Sequence, residues 1–166
     1  MRAISLWQPW ATLIAIGAKR IETRGWKTDY TGWLAIHAAK KWNEDLNAIC
    51  GRVPFYRHLF DAGYRRGPIS AQWRLPLGGI VAVCRVLSCV STNVELDLQF
   101  QVNGEEQRWQ LPPEYPECYF GDFSPGRYAW LLGDVKRLPK PVPFKGSQGF
   151  FEVPDDLIAQ AMRGAA

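Results

Sequence analysis

Gly17-Ala18-Lys19-Arg20-Ile21-Glu22-Thr23-Arg24 follows a short apolar segment and opens with a glycine able to end a helix. Ile21 and Thr23 alternate with Glu22 and Arg24, which is the period of a strand. Glu22 and Arg24 then share one face, and Ile21 and Thr23 turn to the other. Lys19 falls on the turn entering that strand. An ammonium, a carboxylate and a guanidinium therefore gather on one polar face. Gathering charge costs solvation, so the cluster suits gripping a polar ligand better than simply finishing a sheet.

Working outward, Arg2–Leu6 alternates as a first strand, and residues 9–16 form a short amphipathic helix with Pro9 in its first turn and Trp10, Leu13 and Ile14 on its apolar stripe. This places Trp10 in the core. The helix is too brief to suggest a crossover between parallel strands. After the strand at 20–24 comes a polar loop, 25–32, and a third strand, Trp33–Ala38, with Leu34, Ile36 and Ala38 on one face and Trp33, Ala35 and His37 on the other. Asn43 caps a helix running to about Gly51, with Glu44 and Asp45 in its first turn. A further helix spans Phe55–Ala62, and 63–76 reads as loop. Gly79–Val90 carries the strongest strand pattern. Residues 96–111 read as a hairpin turning at Asn103-Gly104. Arg127–Leu132 is a strand, 136–146 an extended proline-rich segment, 149–153 a last strand, and Asp155–Met162 a closing helix. Five to seven short strands with a few helices predict an α+β fold: a small, partly open mixed β-barrel with short helices flanking a cleft.

The chain has 166 residues, 47% apolar and 22% charged, the profile of a globular protein. It is read as one domain, 1–166, with insertions at about 43–75 and 91–122. Its four cysteines form no Cys-x-x-Cys pair, which argues against a metal site and a disulfide framework and for idle thiols in a reducing compartment. No apolar run approaches the ~20 residues needed to span a bilayer, and no leader pattern opens the chain. The expectation is a cytoplasmic protein with no membrane partner, no metal and no cofactor. Residues 1–85 carry a balance of +8 and residues 86–166 one of −4, giving +4 in total. A basic face of that kind attracts polyanions. Glu95 to Asp122 holds seven acids and one base.

Ser5-Leu6-Trp7-Gln8-Pro9-Trp10-Ala11, the Gly17-x-Lys19-x-x-Glu22-x-Arg24 element and Gly32-x-Leu34-x-Ile36-His37-Ala38 together resemble the ASCH (activating-signal-cointegrator homology) domain family. Gly126–Leu132 and Pro141–Gly146 resemble its closing segment. The resemblance implies a barrel similar to the PUA fold, with the motif lining a cleft beside the first helix. It also implies association with RNA or DNA. One group in the family hydrolyses the acetyl amide of N4-acetylcytidine, and another resembles a ribonuclease. This chain departs from the amidohydrolase pattern by carrying Glu22 where that group has a threonine.

The leading expectation is therefore a domain that binds RNA, a nucleotide or a modified nucleoside. Lys19 would hold phosphate or, if desolvated, act as a base. Glu22 would accept from an exocyclic amine or activate water, and Arg24 would pair with phosphate or a guanine edge. Trp7 and Trp26 are candidates for base stacking. Ser5 and His37 are candidates for the cleft, and Lys40 and Lys145 for backbone phosphates. The alternatives are a hydrolase, with Lys19 and Glu22 as base and orienting acid, and a protein-interaction module using the acidic 95–122 region. No Ser-His-Asp triad pattern, distinctive carboxylate pair or phosphate-binding glycine loop is legible.

Overall fold

In a computed structural model, residues 1–67, 72–102 and 104–163 are described. The elements are β1 (Arg2–Leu6), α1 (Trp10–Ala15), β2 (Ile21–Arg24), β3 (Gly32–Ala38), α2 (Glu44–Cys50), α3 (Phe55–Asp61), β4 (Gly79–Ser91), β5 (Leu96–Val102), β6 (Glu105–Leu111), a helical turn at Glu117–Tyr119, β7 (Tyr128–Pro143), β8 (Phe150–Glu152) and α4 (Asp155–Arg163). A six-stranded sheet runs in the order β2-β7-β4-β3-β1-β8, and β5 pairs with β6 in a separate ribbon.

Three expectations change. β1 and β3 are parallel, with Arg2 opposite Leu34 and Leu6 opposite Ala38. The connection that reverses the chain is the whole of residues 7–31, helix and second strand together, so the brevity of α1 was no obstacle. The segments 127–132 and 136–146 are not separate: β7 runs unbroken from Tyr128 to Pro143, because Pro139, Pro141 and Pro143 fit an extended backbone. Among the described residues eight strands form instead of five to seven. The β5–β6 hairpin forms as expected; Asn103 in its turn lies outside the described residues, while Gly104 takes the positive φ the turn requires.

The sheet curls because β4 and β7 pair through three register shifts, each a local bend. The curl nearly closes. Phe150 on the β8 edge stacks on Trp130 of β7, centroids 5.4 Å apart, next to the opposite edge. Inside lie Ile4, Leu34, Ile36, Val86, Trp130 and Leu132, with Ala11 and Ile14 of α1 filling one end. The other face carries Ala3, Ala35, Ile80, Val83 and Leu138, covered by Ile158 of α4. Asn43 caps α2 as predicted, its side chain accepting from the Leu46 amide at 3.0 Å. The acidic ribbon is docked by its own apolar residues: Trp109 and Leu111 pack on Ile21, Ala129 and Leu131. No helix among the described residues is long and apolar enough to cross a membrane.

Cys50 and Cys84 are buried, and desolvation pushes both thiols up to about 12, whereas Cys118 is exposed. Because the thiolate is the reactive form, a disulfide-forming reagent should titrate Cys118 rapidly in the native protein and reach Cys50 and Cys84 only after denaturation. Four equally fast thiols in a kinetic titration would contradict this packing.

Candidate functional site

The Lys19–Glu22–Arg24 cluster assembles, but in depth and not side by side. Lys19 is 1% exposed. Its ammonium donates to the Phe120 carbonyl at 2.8 Å and to the Ile21 carbonyl, and it pairs with Glu22 Oε2 at 3.3 Å. All three N–H donors are thus taken. Burial pulls the Lys19 pKa below its ordinary value, and the charges of Glu22 and Glu117 oppose that fall. The other Glu22 oxygen, Oε1, lies 3.0 Å from Arg24 Nε. Arg24 in turn donates from Nη2 to the Ser5 carbonyl at 3.3 Å, reaching from β2 to β1 across the gap in the curl.

Glu22 and Arg24 line a cavity of about 590 Å³, together with Ser5, Leu6, Trp7, Trp10, Thr23, Arg127 and residues 119–122. Lys19 does not reach it and stands behind Glu22. The strand alternation rightly set Glu22 and Arg24 together. Thr23, expected to face away, also reaches the wall, because the 119–122 segment wraps the β2 edge and the Asp122 amide donates to Thr23 Oγ1 at 3.1 Å. Glu117 fixes that segment by accepting from the Arg20 amide and, at 2.6 Å, from the Ile21 amide. Tyr119, Phe120, Gly121, Asp122 and Arg127 were not singled out from sequence. The acidity of 95–122 marked it as an appendage, and the only clue was Phe120-Gly121, an aromatic–glycine pair inside an otherwise polar stretch.

Trp7 is 49% exposed at the cavity, with Lys41 Nζ 3.9 Å from its ring centroid. Trp10 is half-buried: it meets Phe55 edge-on and still lines the cavity, so it serves the core and the wall together. Trp26 is placed elsewhere. It meets Trp130 and Phe150 edge-to-face at 4.7 and 5.2 Å and closes the aromatic seam of the curl. Ser5, His37, Lys40 and Lys145 gather around a second cavity, of about 1060 Å³, with Gly146, Ser147 and Gln148. Ser5 lines both cavities.

A cavity of about 590 Å³ falls in the range of small-molecule sites, ~300–1,000 Å³. Glu22 offers carboxylate acceptors, Arg24 and Arg127 offer guanidinium donors, and Trp7, Trp10, Tyr119 and Phe120 offer aromatic surface. That set can hold a flat, polar, hydrogen-bonding ring.

The family model of the ASCH domain matches residues 4–130. No curated protein matches the sequence. Among solved structures, ASCH from Zymomonas mobilis aligns at 13% identity with a TM-score of 0.50, over 99% of this chain and 94% of that one. A single-substitution mutant of the same protein aligns at 14% identity with a TM-score of 0.49, over 98% and 96%. At such identity the likeness is one of fold.

Replacing Lys19 by Met would leave Glu22 buried without its inner partner and two carbonyls without a donor. Breaking a buried pair in this way costs about 3–5 kcal/mol. Thermal unfolding should show a large fall in Tm for Lys19→Met and none for Lys27→Ala, whose pairing with Asp29 is solvent-exposed. Equal Tm values for the two would remove the structural role given to Lys19.

Proposed function

The chain belongs to the ASCH domain family, and on that premise we propose that it binds RNA by taking one base into the cavity walled by Glu22 and Arg24. The carrying observation is the position of that pair: held from behind by Lys19, the carboxylate and guanidinium stand at the wall of an open cavity floored by aromatic rings. An ion pair fixed in orientation can read the hydrogen-bonding edge of a base, with Glu22 accepting from an exocyclic amine and Arg24 donating to a ring nitrogen or carbonyl. Trp7 and Tyr119, both largely exposed at the rim, offer faces for stacking. Lys41 stands over the Trp7 ring, and Lys40 and Lys145 line the neighbouring cavity, so their ammonium groups are available to RNA phosphates.

The support for Lys19 as a hydrolytic base is weak by comparison. Its three donors are occupied and it has no path to the cavity. The reading therefore rests on binding, with Glu22 and Arg24 as the contacts and Lys19 as their support.

Fluorescence anisotropy with a short labelled single-stranded RNA tests it. Trp7→Ala and Tyr119→Ala should each weaken binding by the ~1–3 kcal/mol typical of a stacked base, without lowering Tm. Glu22→Gln should alter preference among RNAs of different base composition. Affinity should fall steeply with added salt. Undiminished affinity in the folded Trp7→Ala/Tyr119→Ala double variant would place the RNA, if bound, outside this cavity.

A further inference from the structure

The parallel register of β1 and β3 sets Ser5 directly opposite His37. A register shift between Ile36 and His37 in the β3–β4 pairing falls at the same point. Ser5 Oγ lies 3.0 Å from His37 Nδ1, and His37 Nε2 lies 3.1 Å from the Phe144 carbonyl oxygen. A carbonyl only accepts, so Nε2 carries the ring proton and Nδ1 presents its lone pair. The Ser5 hydroxyl therefore donates to Nδ1. Burial holds the imidazole below its ordinary pKa, so the ring is the neutral, accepting form at neutral pH. A hydroxyl on a base, with the base oriented by a third group, is the arrangement of an activated serine; here a backbone carbonyl takes the third part.

The surroundings are shaped for this pair. Gly146 presses on it so closely that a Cβ there would come within 2.5 Å of both Ser5 Oγ and His37 Nδ1. The Gly146 and Ser147 amides make no hydrogen bond among the described residues, leaving N–H donors in the segment beside the hydroxyl. The cavity in front, about 1060 Å³, has the exposed Lys40 and Lys145 on its walls. The stem of Lys40 lies across Gly78, where a Cβ would strike its methylenes. Two ammonium groups at one cavity favour an anionic ligand.

We propose that Ser5 and His37 are a nucleophile and its general base, and that the cavity hydrolyses an acyl ester of a phosphate-bearing alcohol. Ser5 Oγ bonds to the ester carbonyl carbon as its proton passes to His37 Nδ1. The C–O bond to the alcohol breaks, and the alcohol leaves with that proton. Water then adds to the acyl-serine, giving a proton to His37, which returns it to Ser5 Oγ as the carboxylic acid departs. The sum is ester plus water to acid plus alcohol, with no further reactant. None of these steps uses Glu22, Arg24 or the RNA reading of the first cavity.

The test uses the intact chain with a fluorophosphonate probe, 4-nitrophenyl acetate and 4-acetoxyphenyl phosphate. Mass spectrometry should find the fluorophosphonate on Ser5. In wild-type protein the labelling rate should rise with pH and level off, with its midpoint below 6.5, the ordinary histidine value. His37→Gln should slow labelling by about 100-fold or more, the scale of general-base catalysis. The Lys40→Ala/Lys145→Ala variant should lose turnover of the phosphate-bearing ester several-fold while keeping that of 4-nitrophenyl acetate. No adduct on Ser5, a labelling midpoint above 6.5, or equal labelling of folded His37→Gln would each overturn the nucleophilic assignment. Equal loss on both esters in the lysine variant would overturn the anionic substrate class. The pH profile needs no variant, so an unfolded His37→Gln would not rescue the idea.

Discussion

A single ammonium, that of Lys19, ties together the walls of the cavity lined by Glu22 and Arg24. Burying it is expensive, and the expense is offset only because three oxygens converge on it: two carbonyls and one oxygen of Glu22. Each oxygen belongs to a different purpose. The Ile21 carbonyl shapes the entrance to β2. The Phe120 carbonyl holds the 119–122 wall against that strand. Glu22 is fixed so that its other oxygen can hold Arg24, which reaches the Ser5 carbonyl on β1. Charge is thus passed outward from a sealed core to the cavity surface, and the side chains a ligand would meet are restrained by the ones it cannot meet.

Charge asymmetry along the chain takes on a second meaning in three dimensions. The acidic stretch is not a detached counterweight to a basic body. Glu117 spends its carboxylate on the Arg20 and Ile21 amides and lies 3.7 Å from the Arg20 guanidinium; Asp122 lies 3.3 Å from that of Arg127. Arg20 of the basic first half is thus paired across to the acidic stretch, while Arg127 is paired within the second half. The cations left to meet a polyanion are those on solvated side chains, Lys40, Lys41 and Lys145 among them, and their attraction is the screened, salt-sensitive kind.

What the sequence made legible was local. Alternation put Glu22 and Arg24 together, because a period of two needs no knowledge of the partner strand. The Asn43 cap and the hairpin around Gly104 were equally readable, since each depends on a few adjacent residues. What it hid depended on pairing between distant segments. Nothing in Ser5 or His37 alone announces that they are neighbours; the parallel register of β1 and β3 makes them so. Trp26, in a loop of lysine and aspartate, reads as a free ring, yet the curl brings Trp130 and Phe150 to its edges. Lys19 was recognisable as important, but its depth was not, because depth was set by a segment one hundred residues away.

Both cavities meet at β1, and this bears on how rigid each can be. Ser5 gives its carbonyl to Arg24 on one side and its hydroxyl to His37 on the other. Its strand is pinned between β3 and β8, with ladder bonds along both edges. Groups carried on such a strand keep their positions better than groups carried on loops. The opposite walls are of another kind: residues 119–122 and 144–149 lie outside regular strands and are tied by scattered polar contacts, Phe120 to Lys19, Asp122 to Thr23 and Arg127, and Phe144 to His37 and Gly78. A ligand in either cavity therefore sits between a fixed strand and a tethered segment. One contact in each case comes from a titratable side chain, Lys19 or His37, buried behind the wall it holds.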